Sequence, residues 1–237
     1  MALLWSLLIV DPLIILSTFF CGAVSGLFAM FGPSTRSKQI AISRAWARSI
    51  LFFAGVKVEV EGLERLAAAG PYVFSANHLS YMDTPVILTY IPVQFRFLAK
   101  EGLFQIPFLG WHLKTAGHVP VPREDPRAAV RSLSLTAKLI ESDGTSVLFF
   151  PEGGRSADGA LQEFKDGAAY IAIKAQARLV PVALLGTNKI MPMGSKIIRG
   201  GRVKLRVGEP IPTAGMTLKD RGALTEAARE QMTRMLN

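Results

Sequence analysis

From Ala2 to Phe31 the chain carries one formal charge, Asp11, in a run longer than the roughly 20 apolar positions a helix needs to cross the hydrocarbon core of a bilayer. Such a run demands lipid or a large protein surface to cover it. A cleaved signal peptide fits less well, because the start, Met1-Ala2-Leu3-Leu4, has no Lys or Arg and the run is too long. Asp11-Pro12 disturbs a straight spanning helix near its beginning. Arg36, Lys38, Arg44 and Arg48 follow, and the bias of such cations toward the cytoplasmic side places the rest of the chain there. Residues 37–53 mix those cations with Ile40, Ile42, Ala45, Trp46, Ile50, Leu51, Phe52 and Phe53, the pattern of an interfacial helix rather than a spanning one. The expectation is a membrane-associated two-helix segment over residues 1–55, a hairpin dipping into one leaflet. The competing reading packs both helices on the remaining chain as core.

Beyond residue 55 the pattern changes. Val56-Lys57-Val58-Glu59-Val60-Glu61 alternates with period two and stops at Gly62, an opening strand. Short apolar or alternating runs at 72–76, 95–99, 147–150, 179–185 and 203–207, each bordered by Gly, Pro or polar residues, predict further strands. Helical stretches fall at 83–90, 103–115, 127–142, 165–177 and 217–236. This alternation predicts an α/β domain over residues 56–237: a central mixed, mostly parallel sheet flanked by helices. Residues 123–126 and 188–201 are the candidates for mobile stretches, and the second, rich in Gly, Met and cations, is placed to border a lipid entrance.

The 27 Lys and Arg outnumber 18 Asp and Glu, a formal charge of +9 that favours anionic partners. Anionic membrane lipids fit better than nucleic acid, since no RNA-binding aromatic signature or zinc-finger spacing accompanies the cations whereas the long apolar run does. Cys21 is the single cysteine, so no internal disulfide can form. Histidines and acids lack the compact spacing of a metal site, and there is no Gly-x4-Gly-Lys loop, so neither a metal nor a tightly held cofactor is expected.

The chemistry concentrates in two segments. In Asn77-His78-Leu79-Ser80-Tyr81-Met82-Asp83 a histidine precedes an aspartate by five residues. A histidine that takes a proton from a hydroxyl works best with a carboxylate on its other ring nitrogen, fixing the tautomer and stabilising the imidazolium. The two cannot stack on one helix face, but a strand end carrying His78 can turn into a helix whose first turn holds Asp83, and Pro85 suits that start. Phe150-Pro151-Glu152-Gly153-Gly154-Arg155-Ser156 follows another predicted strand, and loops leaving strand ends in such a sheet gather at one edge. Gly153 and Gly154 free the backbone to turn N–H groups onto an anion, while Arg155 supplies a charge-assisted fork. Lys100, closing one strand, and Arg123, closing Gly117-His118-Val119-Pro120-Val121-Pro122-Arg123, bring further cations near the same edge.

Lys100, Arg123, Glu152, Gly153, Gly154 and Arg155 are therefore the candidate phosphate-binding residues. Glu152 reads as shaping the loop or pairing with a cation rather than as a second base. Asn77 joins the set, as does Lys165, which either approaches the phosphate or simply begins a helix. Ser80 lacks the small-residue elbow of a nucleophile and reads as a surface or helix-capping hydroxyl. His112 and His118 read as structural.

In this order, over roughly residues 56–208, these blocks resemble the four motifs of the glycerophospholipid acyltransferase family, especially 1-acyl-glycerol-3-phosphate acyltransferases of the bacterial type. Asn-His-x4-Asp is matched by Asn77, His78 and Asp83; a Gly-x5-Arg block by Gly117 through Arg123; Phe-Pro-Glu-Gly-Thr-Arg-Ser by Phe150 through Ser156; and Val-Pro-Val by Val180-Pro181-Val182. The family threonine is Gly154 here, and Pro120 and Pro122 stand where Phe and Asp are common, departures that bear on the acceptor rather than on the base. The resemblance implies acyl-CoA or acyl-carrier protein as donor, lysophosphatidic acid as acceptor and phosphatidic acid as product; the apolar run and the cations after it set the expected location, the cell inner membrane with the catalytic domain facing the cytoplasm. A thioesterase and a non-enzymatic lipid-binding protein are the rival functions.

Overall fold

The proline near the amino end reshapes its helix in the computed structural model, which describes residues 2–66, 70–195 and 197–237. Helix α1 (Ala2–Trp5) passes through a π-helical turn, Ser6–Val10, into α2 (Asp11–Ala29). Pro12 has no N–H and crowds the carbonyl one turn back, so the turn before it widens and Asp11 N–H reaches the Ser6 carbonyl five residues earlier. The helical stretch Ser6–Ala29 is long and apolar enough to cross a membrane, with a mean hydropathy of 2.2 over its most apolar 18-residue window. The chain then reverses into α3 (Arg36–Phe53). Trp46 Nε1 donates to Thr18 Oγ1 at 2.9 Å, and the Ser17 and Ser49 hydroxyls bond across the same seam.

The two helices are not equivalent. Most of α2 is bare, whereas α3 buries Ile40, Ala47, Ile50 and Leu51, three of them within the main core. One of the cations that suggested an interfacial helix is used inside the protein, since Arg44 donates to the carbonyls of Ile91, Pro92 and Val93 at 2.9 Å each and so caps the end of a later helix. Both ends of the α2 region touch the rest of the chain. Ser6 Oγ accepts Ile198 N–H at 3.0 Å, and Ser25 Oγ lies 2.8 Å from His112 Nδ1.

Seven strands follow: β1 (Val56–Glu61), β2 (Tyr72–Ala76), β3 (Phe95–Lys100), β4 (Val119–Val121), β5 (Ser146–Phe149), β6 (Arg178–Leu185) and β7 (Gly201–Val207). They form one sheet in the order β1-β7-β6-β2-β5-β3-β4, parallel throughout except for the antiparallel pair β6–β7. This is the expected mixed, mostly parallel sheet. Interleaved are α4 (Asp83–Tyr90), α5 (Leu109–Thr115), α6 (Pro126–Asp143), α7 (Gly167–Lys174), α8 (Thr187–Ile190) and α9 (Arg221–Leu236). All five residues of β2 are buried, as suits a central strand covered on both faces. Tyr72, Phe74 and Ala76 pack with α3 and α4, through Ala47, Ile50, Val86 and Ile87. Val73 packs with α6, α7 and α9 on the opposite face, through Ile140, Ile171 and Leu224.

Three segments differ from the sequence pattern. The helix expected over 103–115 is broken: a 3-10 turn, Glu101–Gln105, gives way at Pro107 to a sharp turn, and α5 begins only at Leu109. Residues 123–126, expected to be mobile, hold the N-cap of α6, where the Asp125 carboxylate accepts Arg127 N–H and Ala128 N–H. The 188–201 stretch, whose Lys196 lies outside the described residues, is tied down by Arg199 N–H to the Ile190 carbonyl and by the Ser6 contact at Ile198.

Candidate active site

β2 and β5 are adjacent and parallel, so His78, two residues past β2, and Glu152, three past β5, emerge side by side. The His78 ring stacks on Phe150, with centroids 4.0 Å apart and planes at 16°. Its Nδ1 lies 2.7 Å from Asp83 Oδ2, and the same oxygen accepts the backbone N–H groups of Leu79 at 2.7 Å and Ser80 at 2.8 Å. Those two bonds explain how a five-residue spacing succeeds: the chain wraps around the carboxylate, which then opens α4, with Pro85 in the first turn. Asp83 is fully buried, whereas 18% of the His78 side chain remains exposed. With Nδ1 committed to the carboxylate, Nε2 is the ring nitrogen available to take a proton.

Glu152 holds the backbone of this pair. Its Oε1 accepts His78 N–H at 2.6 Å and its Oε2 accepts Gln162 N–H at 3.0 Å. Burial raises its pKa, and the bonds from Gln162 and His78 work against that rise. A third tie closes the loop, as Ser156 N–H donates to the His78 carbonyl at 2.8 Å. Glu152 is thus a clamp between two loops, in line with the loop-shaping reading. Gly153 adopts φ +74°, and a Cβ there would come within 3.1 Å of Lys165 Nζ, which places that amine beside the glycine turn. Around Gly154 a Cβ would meet nothing within 4 Å.

Arg155 and Lys165 lie on this loop, and Arg123 approaches from the loop after β4. Arg155 lays its guanidinium 3.5 Å from the centre of the Tyr81 ring, and its Nη1, though buried, finds no hydrogen-bond acceptor among the described residues. Arg123 stands close enough to Arg155 that the like charge, after burial, lowers its pKa. Lys100 shares the sheet edge, in register with Val121 on β4, but it is exposed and lies two strands from β2. The structure therefore brings together His78, Asp83, Glu152, Gly153, Arg155, Arg123 and Lys165, and leaves Lys100 on the periphery.

Asn77 stands apart from this group. Its buried amide exchanges two bonds with Leu184, donating to the carbonyl at 3.0 Å and accepting N–H at 2.7 Å, and so extends the β2–β6 ladder. Ser80 is buried rather than on the surface: its hydroxyl accepts Met82 N–H and donates to the Met191 carbonyl at 2.7 Å, fastening the 188–201 stretch to the site. His112 bridges Ser25 and Ser43, and His118 Nδ1 accepts Phe97 N–H at 3.0 Å, so both have structural partners. Three residues of the site are not among those the sequence singles out: Tyr81, Phe150 as a stacking platform, and Gln162. Only Phe150 has a signal in the sequence, its place in the third motif.

At the carboxyl edge of an α/β sheet, a histidine–aspartate pair thus stands beside a glycine turn whose Arg155 keeps a buried donor unpartnered among the described residues. The Acyltransferase family model matches residues 57–185, and the chain belongs to that family. It is 41% identical over 184 residues to the chloroplastic 1-acyl-sn-glycerol-3-phosphate acyltransferase LPAT1 of Arabidopsis thaliana, covering 77% of this chain and 51% of that protein. A 1-acyl-sn-glycerol-3-phosphate acyltransferase of Chlamydomonas reinhardtii is 34% identical, with 98% of this chain and 67% of the relative covered. The chain spans about half the length of the Arabidopsis relative. The crystal structure of the 1-acyl-sn-glycerophosphate acyltransferase PlsC of Thermotoga maritima superposes with a TM-score of 0.79 at 27% identity, covering 99% of this chain and 95% of that one.

Proposed function

We propose that this chain transfers a fatty acyl group from acyl-CoA or acyl-carrier protein to the sn-2 hydroxyl of 1-acyl-sn-glycerol-3-phosphate, giving phosphatidic acid. The observation that carries the acceptor is the buried, unpartnered Nη1 of Arg155 beside a second guanidinium, on a loop bonded to the His78 carbonyl. A buried guanidinium N–H without a partner calls for an anion, and a phosphate on the acceptor supplies it. His78 Nε2 takes the proton of the hydroxyl as its oxygen attacks the thioester carbonyl, the carbon–sulfur bond breaks, and the thiolate leaves and receives the proton from the imidazolium. Asp83 holds the ring and stabilises its charged form, and no acyl-enzyme is needed. The names of the relatives support the same acceptor. Glycerol-3-phosphate or a lyso-amino-lipid is the alternative acceptor.

Residues 1–55 serve in this reading as the anchor and residues 56–237 as the catalytic domain, facing the cytoplasm at the inner membrane. Because the α2 region meets the domain near both its ends, at Ser6 and at Ser25, it lies along the domain, and insertion into one leaflet fits that placement better than a span. The test is one incubation of purified protein with a labelled thioester and several acceptors, products resolved by mass. Thiol release should depend on lysophosphatidic acid. His78→Ala should fold yet lose several powers of ten in turnover, and Arg155→Ala should chiefly raise the acceptor KM. Thiol release independent of any acceptor would instead identify a thioesterase, and undiminished turnover by His78→Ala would remove the base.

A further inference from the structure

Five large apolar side chains stand exposed within nine residues between β3 and the end of α5: Leu103, Ile106, Phe108, Leu109 and Trp111. Phe108 is 81% exposed, more than any other large apolar residue on the described surface. Its backbone is strained as well. Leu109 N–H donates to the Pro107 carbonyl at 2.7 Å across a three-residue turn, and Phe108 at its centre takes φ +62° and ψ −52°, the rare form of the γ-turn. The other non-glycine residue at positive φ, Gln176, has compensation, since its side chain donates to the Ile173 carbonyl at 2.6 Å and accepts Gly215 N–H at 3.1 Å. Phe108 stands largely in solvent.

This apolar tip is fastened to the amino-terminal hairpin. A Cβ on Gly26 of α2 would come within 2.5 Å of the Trp111 ring, so indole and helix are in close contact. One residue on, His112 joins Ser25 of α2 to Ser43 of α3, at 2.8 Å and 3.2 Å, and Thr115 Oγ1 donates to Gln39 Oε1 at 3.0 Å. The exposed apolar side chains of residues 103–111 therefore stand on a segment packed against α2, whose own exposed side chains are apolar. Lys100 before the tip and Lys114 after it are exposed and suited to lipid headgroups.

We propose that residues Ile106, Phe108 and Leu109 form a wedge that enters the same leaflet as the amino-terminal helices, its occupant being the acyl-chain boundary of an anionic bilayer. The inference rests on the membrane association of α2. The consequence concerns the active site. The wedge leaves the carboxyl end of β3, the sheet edge that carries His78 and Arg155, so its insertion seats that edge on the membrane surface, where a phospholipid acceptor presents its headgroup.

The experiment uses the full chain in vesicles containing anionic lipid, with Cys21→Ser to clear the native thiol and a fluorophore on a single new cysteine. Phe108→Cys and, separately, Ile106→Cys report the wedge, Phe19→Cys reports α2, and Leu135→Cys reports an exposed site on α6. Lipids brominated on their chains should quench most of the emission from positions 108, 106 and 19 and leave that from 135 unchanged. Quenching at 19 without quenching at 108 and 106 overturns the wedge alone, including the case in which those positions are covered by a second copy of the chain. Absence of quenching at all four positions overturns the wedge and the anchor together.

Discussion

Glu152→Gln keeps the size and shape of the side chain while removing one acceptor, and the geometry makes the outcome calculable. Both partners of the carboxylate are backbone donors, His78 N–H at 2.6 Å and Gln162 N–H at 3.0 Å, and neither can reverse its role. Whichever way the new amide turns, its NH2 group faces one of them. A hydrogen bond to a charged acceptor contributes roughly 1.5–3 kcal/mol; the exposed Gln162 N–H can turn to water when released, whereas the part-buried His78 N–H would add a desolvation cost of about 1 kcal/mol or more. Burial already opposes the charge of this carboxylate, as its raised pKa records, so neutralising it offsets part of the loss and leaves a net cost of about 2 kcal/mol. For a chain of this size that lowers Tm by about 4–8 °C. The released donor belongs either to His78, whose backbone then shifts against Asp83, or to Gln162, whose loop slackens. Misplacement by about 1 Å can cost on the order of 100-fold, so kcat falls by roughly 10- to 100-fold while acceptor KM stays near its starting value. Steady-state kinetics at saturating thioester and a thermal melt of the same preparation read both effects. A variant with unchanged kcat and Tm would refute the clamp, and a rise confined to acceptor KM would show that Glu152 touches the acceptor instead.

The glycine turn separates two neighbouring positions. Gly154→Thr places its side chain in open space, so stability should hold within about 1 kcal/mol, while the hydroxyl beside Arg155 should alter acceptor preference; a large drop in Tm would contradict the open geometry. Gly153→Ala, at φ +74° and against Lys165 Nζ, should cost about 1 kcal/mol or more, visible as a lowered urea midpoint. For pH, His118 is pushed down to about 3 by burial, then by His112 and Arg96, and its Nδ1 already accepts a backbone N–H, so protonation breaks a bond. The folded pKa lies below the unfolded one, near 6.5, so the stabilisation is complete above that pH and drains as pH falls toward 3, by up to about 1.4 kcal/mol per unit. Denaturant unfolding of the chain and of His118→Gln between about pH 6.5 and 5, above most carboxylate titration, should show a shallower slope in the variant; equal slopes would assign the pH dependence to other groups.

Legibility in the sequence follows the range of the interactions. β2 and α4 are readable because local signals agree: a run of apolar residues at 72–76, then Asp83-Thr84-Pro85 at a helix start. The 103–115 segment reads as one helix because Leu103, Phe104 and Ile106 look like one helix face, and composition does not distinguish an apolar face turned to the core from one turned outward. His78 and Asp83 are readable as a spacing, though the Leu79 and Ser80 N–H groups that make the spacing work are not. Tyr81 is beyond reach for another reason. Nothing near it in the chain calls for an aromatic ring, and its partner, Arg155, arrives from the end of a different strand. The Ser80–Met191 and Ser6–Ile198 bonds are likewise products of topology, so they cannot be foreseen from the glycines and cations of the 188–201 segment.

The same topology gives the clustered cations a meaning that their number alone does not. Arg123 follows β4 and Arg155 follows β5, strands separated in the sheet by β3, yet the Arg155 charge is near enough to add to burial in lowering the Arg123 pKa. Arg123 is exposed to water. Arg155 is instead held against the Tyr81 ring, with Nη1 buried and aimed at no acceptor among the described residues. On the proposed reading an acceptor phosphate supplies the missing partner. Because Tyr81 lies between His78 and Asp83 in sequence, and Ser156 is bonded to the His78 carbonyl, filling the anion site tightens the loop on both sides of the base. Acceptor binding and orientation of the imidazole are then one event, which favours attack by the phosphate-bearing alcohol over attack by water.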